Sequence, residues 1–264
     1  MDDTRRRFLQ VAGLSVLGLA AKPLVDAVAQ GGVPEYEVGP QALKGKRWGM
    51  VVDLKQCLKA KEGCRLCVDA CNHTHNIPTM PNPKHEVKWI WQSPFENAFP
   101  ESENEFMKEY VKENMKGLPF ILLCNHCDNP PCVRVCPTKA TFKRADGVVM
   151  MDYHRCIGCR YCMAACPYGA RNLNWRDPRP FIKAPLNPDY PTRMRGVVEK
   201  CTFCDERLAK GLLPACVEAC KEHKALVFGD LADPNSEVSE LLRKNPSIRR
   251  KPELGTQPSV YYLL

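Results

Sequence analysis

Sixteen cysteines in four groups of four constrain this chain more than any other feature of its 264 residues. Group one is Cys57, Cys64, Cys67 and Cys71. Group two is Cys124, Cys127, Cys132 and Cys136. Group three is Cys156, Cys159, Cys162 and Cys166, and group four is Cys201, Cys204, Cys216 and Cys220. A chain of this length can bury a core without staples, so the explanation that serves small disulfide-dense domains does not carry over. Regular C-x2-C repeats pair poorly as disulfides and well as metal loops. Structural zinc uses two C-x2-C pairs per ion, an arrangement that group four alone could pass for and group three could not.

Group three, C-I-G-C-R-Y-C-M-A-A-C-P, matches the bacterial ferredoxin run C-x2-C-x2-C-x3-C-P in full. Three thiolates on one tight loop can wrap three irons of a [4Fe-4S] cube, while loop N–H groups point at the sulfurs. The fourth cysteine is expected on the following helix, facing a second cluster, so that such groups work in pairs. Groups two and three both end in Cys-Pro, at Pro137 and Pro167. Asn72 and Lys221 follow the last cysteines of the flanking groups. The expected sets are therefore Cys124, Cys127, Cys132 with Cys166, and Cys156, Cys159, Cys162 with Cys136. The outer sets are Cys57, Cys64, Cys67 with Cys220, and Cys201, Cys204, Cys216 with Cys71. Together they make sites for four [4Fe-4S] clusters. In group one, Leu58 to Gly63 separate Cys57 from Cys64. That loop is expected to bulge outward, with Gly63 easing its turn. The alternative is a three-iron cluster on Cys64, Cys67 and Cys220.

Each group follows a short apolar run of strand character: Trp48 to Val52, Phe120 to Leu123, Val148 to Met151, and Gly196 to Val198. Strand, cysteine loop and helix thus recur as a unit. Ala145-Asp146-Gly147 reads as a hairpin turn. Between groups one and two lies an insert, 73–118, whose segment Glu101 to Met115 spaces Phe106, Tyr110 and Val111 for a short amphipathic helix. No chemistry attaches to the insert.

The formal charge of +8 suggests an acidic partner until the cysteines are counted as thiolates. Sixteen thiolates around four oxidised cores of about +2 each bring the total to about neutral, which leaves no case for nucleic acid. Residues 1–29 read as a signal peptide. Arg5-Arg6 with Phe8-Leu9 have the twin-arginine pattern, Val11 to Ala21 is a modest apolar run, and Ala27-Val28-Ala29 offers a cleavage site. An apolar run of this length is too short to span a bilayer. The chain is expected in the periplasm or on the outer face of the cytoplasmic membrane, exported already folded. It shows no phosphate loop, nucleotide fingerprint or nucleophile motif, so no small-molecule substrate of its own is expected. His73 and His75 form an H-x-H that could hold metal but reads better as loop or partner contact, and His126 reads as a loop residue. Tyr161 and Trp175 read as packing residues, and Lys55, Arg65, Arg134, Arg160 and Lys200 as solvated charge.

The sequence resembles the iron–sulfur electron-transfer subunits of the dimethyl sulfoxide reductase type. The matching stretches are C-N-H-C-D-N-P-P-C-V-R-V-C-P from Cys124, C-I-G-C-R-Y-C-M-A-A-C-P-Y-G-A-R from Cys156, C-T-F-C-D-E-R-L-A-K-G-L-L-P-A-C-V-E-A-C from Cys201, and the ending G-T-Q-P-S-V-Y-Y-L. The resemblance implies an α+β fold of two interleaved bacterial-ferredoxin-like units with loop insertions over 30–264. The outer lobe would be 46–117 plus 195–264 and the inner lobe 118–194. It implies an electron relay between a polytopic quinone-reactive membrane subunit and a catalytic or haem subunit, and it agrees with the crossed sets above. Group one departs from the usual spacing of two. With C-N-H-T-H-N-I-P and the twin-arginine signal, it resembles the periplasmic ferredoxin-like branch associated with dissimilatory sulfite reduction, whose partner would be a multihaem cytochrome c. A molybdopterin subunit as partner, or a purely structural metal scaffold, are the other readings.

Overall fold

A computed structural model of the chain describes residues 39–60, 63–100, 120–183 and 185–263; the export signal and the helix expected at 101–115 lie outside them. The fold below is that of Gln41–Leu264, which forms one unit. Its strands are β1 (Trp48–Asp53), β2 (Ile90–Ser93), β3 (Phe120–Leu123), β4 (Thr141–Lys143), β5 (Val149–Met151), β6 (Asn172–Leu173), β7 (Val198–Glu199), β8 (Leu226–Asp230), β9 (Ser247–Ile248) and β10 (Val260–Leu263). The apolar runs before the four cysteine groups become β1, β3, β5 and β7, so the recurring unit read from the sequence is present.

One sheet has the order β8-β1-β10-β9. In it β1 runs antiparallel to β8, with Met50 opposite Phe228, and parallel to β10, with Met50 opposite Val260. Successive side chains of a strand face opposite sides, and these strands use both. Val51, Val227 and Leu263 pack with Val238 of the helix Glu237–Lys244. Met50, Val52, Leu226, Phe228 and Tyr262 face the main core on the other side. That helix starts where Ser236 accepts a hydrogen bond from the Ser239 N–H, the usual side-chain cap for an orphan donor.

The remaining strands pair two by two: β2 with β3, β4 with β5, and β6 with β7, all antiparallel. The β4–β5 pair is the hairpin expected around Asp146-Gly147. Gly147 adopts φ +84°, and Arg144 and Val148 close the loop. The insert, read as empty of chemistry, has a structural task. It supplies β2 to β3, and Trp89, Phe95 and Phe99 to the main core.

The cysteine helices differ from expectation in one respect. Cys132, Cys162 and Cys216, the third of their groups, lie on the helices Pro131–Arg134, Tyr161–Ala164 and Ala215–Ala219. The fourth cysteines, Cys136, Cys166 and Cys220, lie at or just past the helix ends rather than on them. At Cys136 and Cys166 the reason is local: the following proline disfavours helical backbone at the residue before it. Group one has no proline there, and its helix runs through Cys71 to Thr74.

Candidate metal centres

Each cysteine loop is shaped by a left-handed residue immediately before the second cysteine of its group. These are Gly63 (φ +73°), His126 (φ +40°), Gly158 (φ +68°) and Phe203 (φ +56°). Backbone of this kind turns N–H groups toward one concavity, which suits an anionic guest. Group one therefore reaches the same local geometry at Gly63 as the other three, despite its wider spacing. Cys57 sits on the short helix Leu54–Leu58, whose first turn is closed by the Asp53 carboxylate accepting from the Gln56 N–H at 3.0 Å.

Where the left-handed residue is not glycine, packing offsets the cost. His126 and Phe203 stack on each other, centroids 3.6 Å apart and planes 15° apart, so the loops of groups two and four hold one another. His126 also accepts the Val149 N–H on Nδ1 at 3.0 Å. Burial, together with the Lys200 charge nearby, holds its imidazole well below the usual range and so neutral. His126 is thus a structural key of two loops, a larger role than filling one.

At Gly158 no side chain is admissible. Besides its positive φ, a Cβ there would meet the Gly196 carbonyl oxygen at 2.4 Å, whereas one on Gly169 (φ +63°) would meet nothing within 4 Å. Gly169→Ala is expected to cost about 1–2 kcal/mol from backbone alone. Gly158→Ala should cost clearly more and lower the iron retained. Thermal unfolding of the two variants under argon checks this, and equal losses would contradict it.

The side chains of the sixteen cysteines, all free thiols, converge in four sets. Cys57, Cys64, Cys67 and Cys220 line a cavity of about 330 Å³, here site 1. Cys71, Cys201, Cys204 and Cys216 lie deep in the core and act on one another electrostatically, site 2. Cys124, Cys127, Cys132 and Cys166 line about 320 Å³, site 3. Cys136, Cys156, Cys159 and Cys162 line about 270 Å³, site 4. Each site takes three thiols from one group and one from another, the pattern of the crossed sets.

The sites form a row. Cys67 of site 1 is close enough to raise the thiol pKa of Cys71 and Cys216 of site 2. Cys124 of site 3 does the same to Cys201 of site 2, and Cys132 of site 3 to Cys162 of site 4. Every thiol of site 2 is buried; partly exposed are Cys166 at site 3, Cys57 and Cys64 at site 1, and Cys136, Cys156 and Cys159 at site 4. Beside the end sites, Leu58 and Leu66 at site 1 and Ile157 at site 4 are exposed.

The donor chemistry fits an iron–sulfur guest. Burial and neighbouring thiols push Cys57 up to about 11 and Cys67 and Cys127 up to about 12. Four such groups could ionise together only around a cationic core. Sulfur acceptors are met by N–H groups: Thr141 to Cys136 at 3.5 Å, Phe203 to Cys201 at 3.4 Å and Ala215 to Cys204 at 3.4 Å. Donors of this kind stabilise charge on ligating sulfur.

Several residues take places the sequence did not suggest. Lys200 is fully buried, donating to the carbonyls of Val149 and Cys201, whereas Lys55, Arg65, Arg134 and Arg160 are exposed as expected. Tyr161 and Trp175 do not pack inside. Tyr161 is exposed, and Trp175 lies under the Arg160 guanidinium, 5.2 Å from its ring centroid. His73 and His75 do not converge. His73 is exposed, whereas His75 is buried with Nε2 3.0 Å from Glu206 Oε1 and Nδ1 3.5 Å from Cys71 Sγ. With Cys204, His75 and Glu206 could hold an ion, but Cys204 belongs to site 2. Arg171, inside C-P-Y-G-A-R, is buried and donates to Cys132 Sγ at 3.1 Å. Nothing in a linear sequence separates these buried cations from their solvated neighbours.

Two family models described as 4Fe-4S dicluster domains match the chain, at residues 115–183 and 155–226. Over 98% of its length the chain is 44% identical to Hdr-like menaquinol oxidoreductase iron-sulfur subunit 1 of Archaeoglobus fulgidus, covering 97% of that protein. It is 36% identical to a tetrathionate reductase subunit of Salmonella typhimurium, over all of this chain and 89% of the relative. It is 38% identical to a protein of Halobacterium salinarum named as a dimethyl sulfoxide reductase iron-sulfur subunit, over 82% of this chain and 78% of the relative. With thiol sets of ferredoxin type and a match along nearly its whole length, the chain belongs to the iron–sulfur electron-transfer subunits of the dimethyl sulfoxide reductase type.

Proposed function

We propose that the protein is the electron relay of a membrane-bound respiratory complex, with one [4Fe-4S] cluster at each of sites 1 to 4. The observation that carries this reading is the row of four thiol sets, with the partly exposed thiols most numerous at its two ends. When bound, such clusters take up and release single electrons. The chain's own part is to supply the thiols, to direct N–H groups at them, to keep water from site 2 and to hold neighbouring sites close. The exposed apolar residues beside sites 1 and 4 suit docking to other subunits. Two interleaved ferredoxin-like units, 46–117 with 195–264 and 118–194, account for the crossed sets. The antiparallel β6–β7 and β2–β3 pairs, each joining residues of both units, support the interleaving.

For the partners we propose a polytopic quinone-reactive membrane subunit at one end and a multihaem cytochrome c at the other. A relative named as a menaquinol oxidoreductase subunit supports the quinone side. Among the described residues no helix is long and apolar enough to cross a membrane, so membrane attachment would fall to that partner. A molybdopterin catalytic subunit in place of the cytochrome is the second reading, favoured by the relatives named as subunits of tetrathionate and dimethyl sulfoxide reductases. The composition of the native complex decides: a c-type cytochrome supports the first reading, a molybdenum subunit the second. A chain purified under argon with zinc in place of iron would overturn both.

Export through the twin-arginine route, to the periplasm or the outer face of the cytoplasmic membrane, completes the proposal. Arg5→Lys/Arg6→Lys is expected to hold the protein inside the cell. Fractionation of expressing cells checks it, and normal export of that variant would sink the targeting assignment.

A further inference from the structure

We infer that Arg171 is a positioning residue that raises the reduction potentials of sites 3 and 4 together, because its guanidinium bonds Cys132 of the one and lies against Met151, which lines the other. It donates to Cys132 Sγ at 3.1 Å and to Thr141 Oγ1 at 3.0 Å, and it reaches Sδ of Met151, which lines site 4, at 3.8 Å. This rests on the relay reading, since it concerns clusters at those two sites.

Three features single the residue out. First, it is only 4% exposed, so its field is poorly screened. Second, no carboxylate among the described residues pairs with it. Buried Arg193, by contrast, is neutralised by Glu199 at 2.8 Å, and buried Arg250 donates to the Ala98 carbonyl instead of to a thiol. Third, thiols are what stabilise its charge. Its Nη2 lies 3.1 Å from Cys132 Sγ, and it lines one cavity with Cys124, Cys127, Cys132 and Cys166. A guanidinium stays charged under all working conditions.

Local structure explains the placement. Arg171 follows the turn at Gly169 and immediately precedes β6, where Asn172 is registered against Glu199 of β7. That pairing fixes the backbone while Thr141, on β4, anchors the guanidinium from the other side. Adding an electron to either site adds negative charge beside a fixed cation, so reduction is favoured at both. Site 1 has no such neighbour: neither lysine nor arginine lines its cavity among the described residues. Electrons are therefore favoured at sites 3 and 4 over site 1.

The test is a redox titration of the anaerobic holo-protein, read by low-temperature EPR, for wild type, Arg171→Gln, Arg171→Lys and Thr141→Val. In Arg171→Gln the one-electron reduction equilibrium of two clusters is expected to fall at least tenfold, about 59 mV, while the other two stay within threefold. Arg171→Lys keeps the charge and should shift less than half as far. Thr141→Val, which keeps the backbone and frees the anchor, should shift the same two clusters in the same direction. Unmoved midpoints in Arg171→Gln with full iron content would overturn the inference, as would equal shifts in Arg171→Gln and Arg171→Lys. If Arg171→Gln does not assemble, unmoved midpoints in Thr141→Val overturn it instead. Wild-type iron content is measured first. A chain without clusters removes the relay proposal itself, whereas assembled clusters with unmoved midpoints remove only the role of Arg171.

Discussion

Cys136→Ala is expected to damage the cluster of Cys156, Cys159 and Cys162 and to leave intact the cluster of its own sequence neighbours Cys124, Cys127 and Cys132. The cavity at site 4 is lined by Cys136, while the cavity at site 3 is closed by Cys166. The cause lies in chain direction. Each four-residue helix carries the third thiol on its own side and ends at a Cys-Pro step that delivers the fourth thiol to the other site. Cys136 is held there by the Thr141 N–H at 3.5 Å, a bond from the strand beside site 4. Losing one of four thiolates should remove the cluster or strip it to a three-iron form, so that iron falls from about 16 atoms per chain by between one and four. Low-temperature EPR assigns the loss by comparison. The signals altered in Cys136→Ala should be those altered in Cys159→Ala and not those altered in Cys127→Ala, and Cys166→Ala should show the reverse. A Cys136→Ala spectrum that matches Cys127→Ala would refute the crossed wiring.

The second large effect is on stability, at Glu199. This carboxylate is fully buried at the end of β7. It accepts from Trp89 Nε1 at 3.0 Å, from Arg193 Nη2 at 2.8 Å and from the Asn174 amide. Arg193 in turn donates to the carbonyls of His75 and Asn76 and lies over the rings of Trp89 and Tyr190. His75 stacks on Trp89 with centroids 4.4 Å apart, and it touches Cys71 of site 2. One carboxylate thus ties the insert, the β6–β7 pair and the back of site 2 together. Glu199→Ala would leave Arg193 buried without a counter-charge, a change that costs about 3–5 kcal/mol. Glu199→Gln keeps an acceptor for Trp89 and should cost less, though still more than a surface substitution. Anaerobic denaturant titration, followed by the visible absorption of the clusters, measures both. A midpoint within experimental error of wild type for Glu199→Ala would show that Arg193 finds another partner and that the network is not the tie described.

Only part of this was legible in the linear chain. Cysteine spacing determines a great deal, because C-x2-C and the residues around it act over a few covalent bonds. Short spacings confine the thiols of a group to one loop, and prolines after Cys136 and Cys166 end the helices there. The apolar runs before each group become β1, β3, β5 and β7 for the same local reason. The widened group one could be read either way from spacing alone. The backbone shows Gly63 in the position that His126, Gly158 and Phe203 hold in the other loops.

Everything that depends on residues far apart in sequence was decided by tertiary structure. The order of the four sites in a row follows from how the strands pair, not from the order of the groups. The burial of Lys200 and Arg171 and the outward position of Tyr161 and Trp175 are likewise consequences of neighbours tens of residues away. The stacking of His126 on Phe203 is another such case: neither has the freedom of glycine in left-handed backbone, and each holds that conformation because the other ring covers it. The sequence by itself therefore determined which residues make the loops, since loop closure is a short-range matter of spacing and backbone conformation. Which loops share a site, and which charges lie among them, only the packed fold could decide, since burial and electrostatic proximity are properties of distance in space.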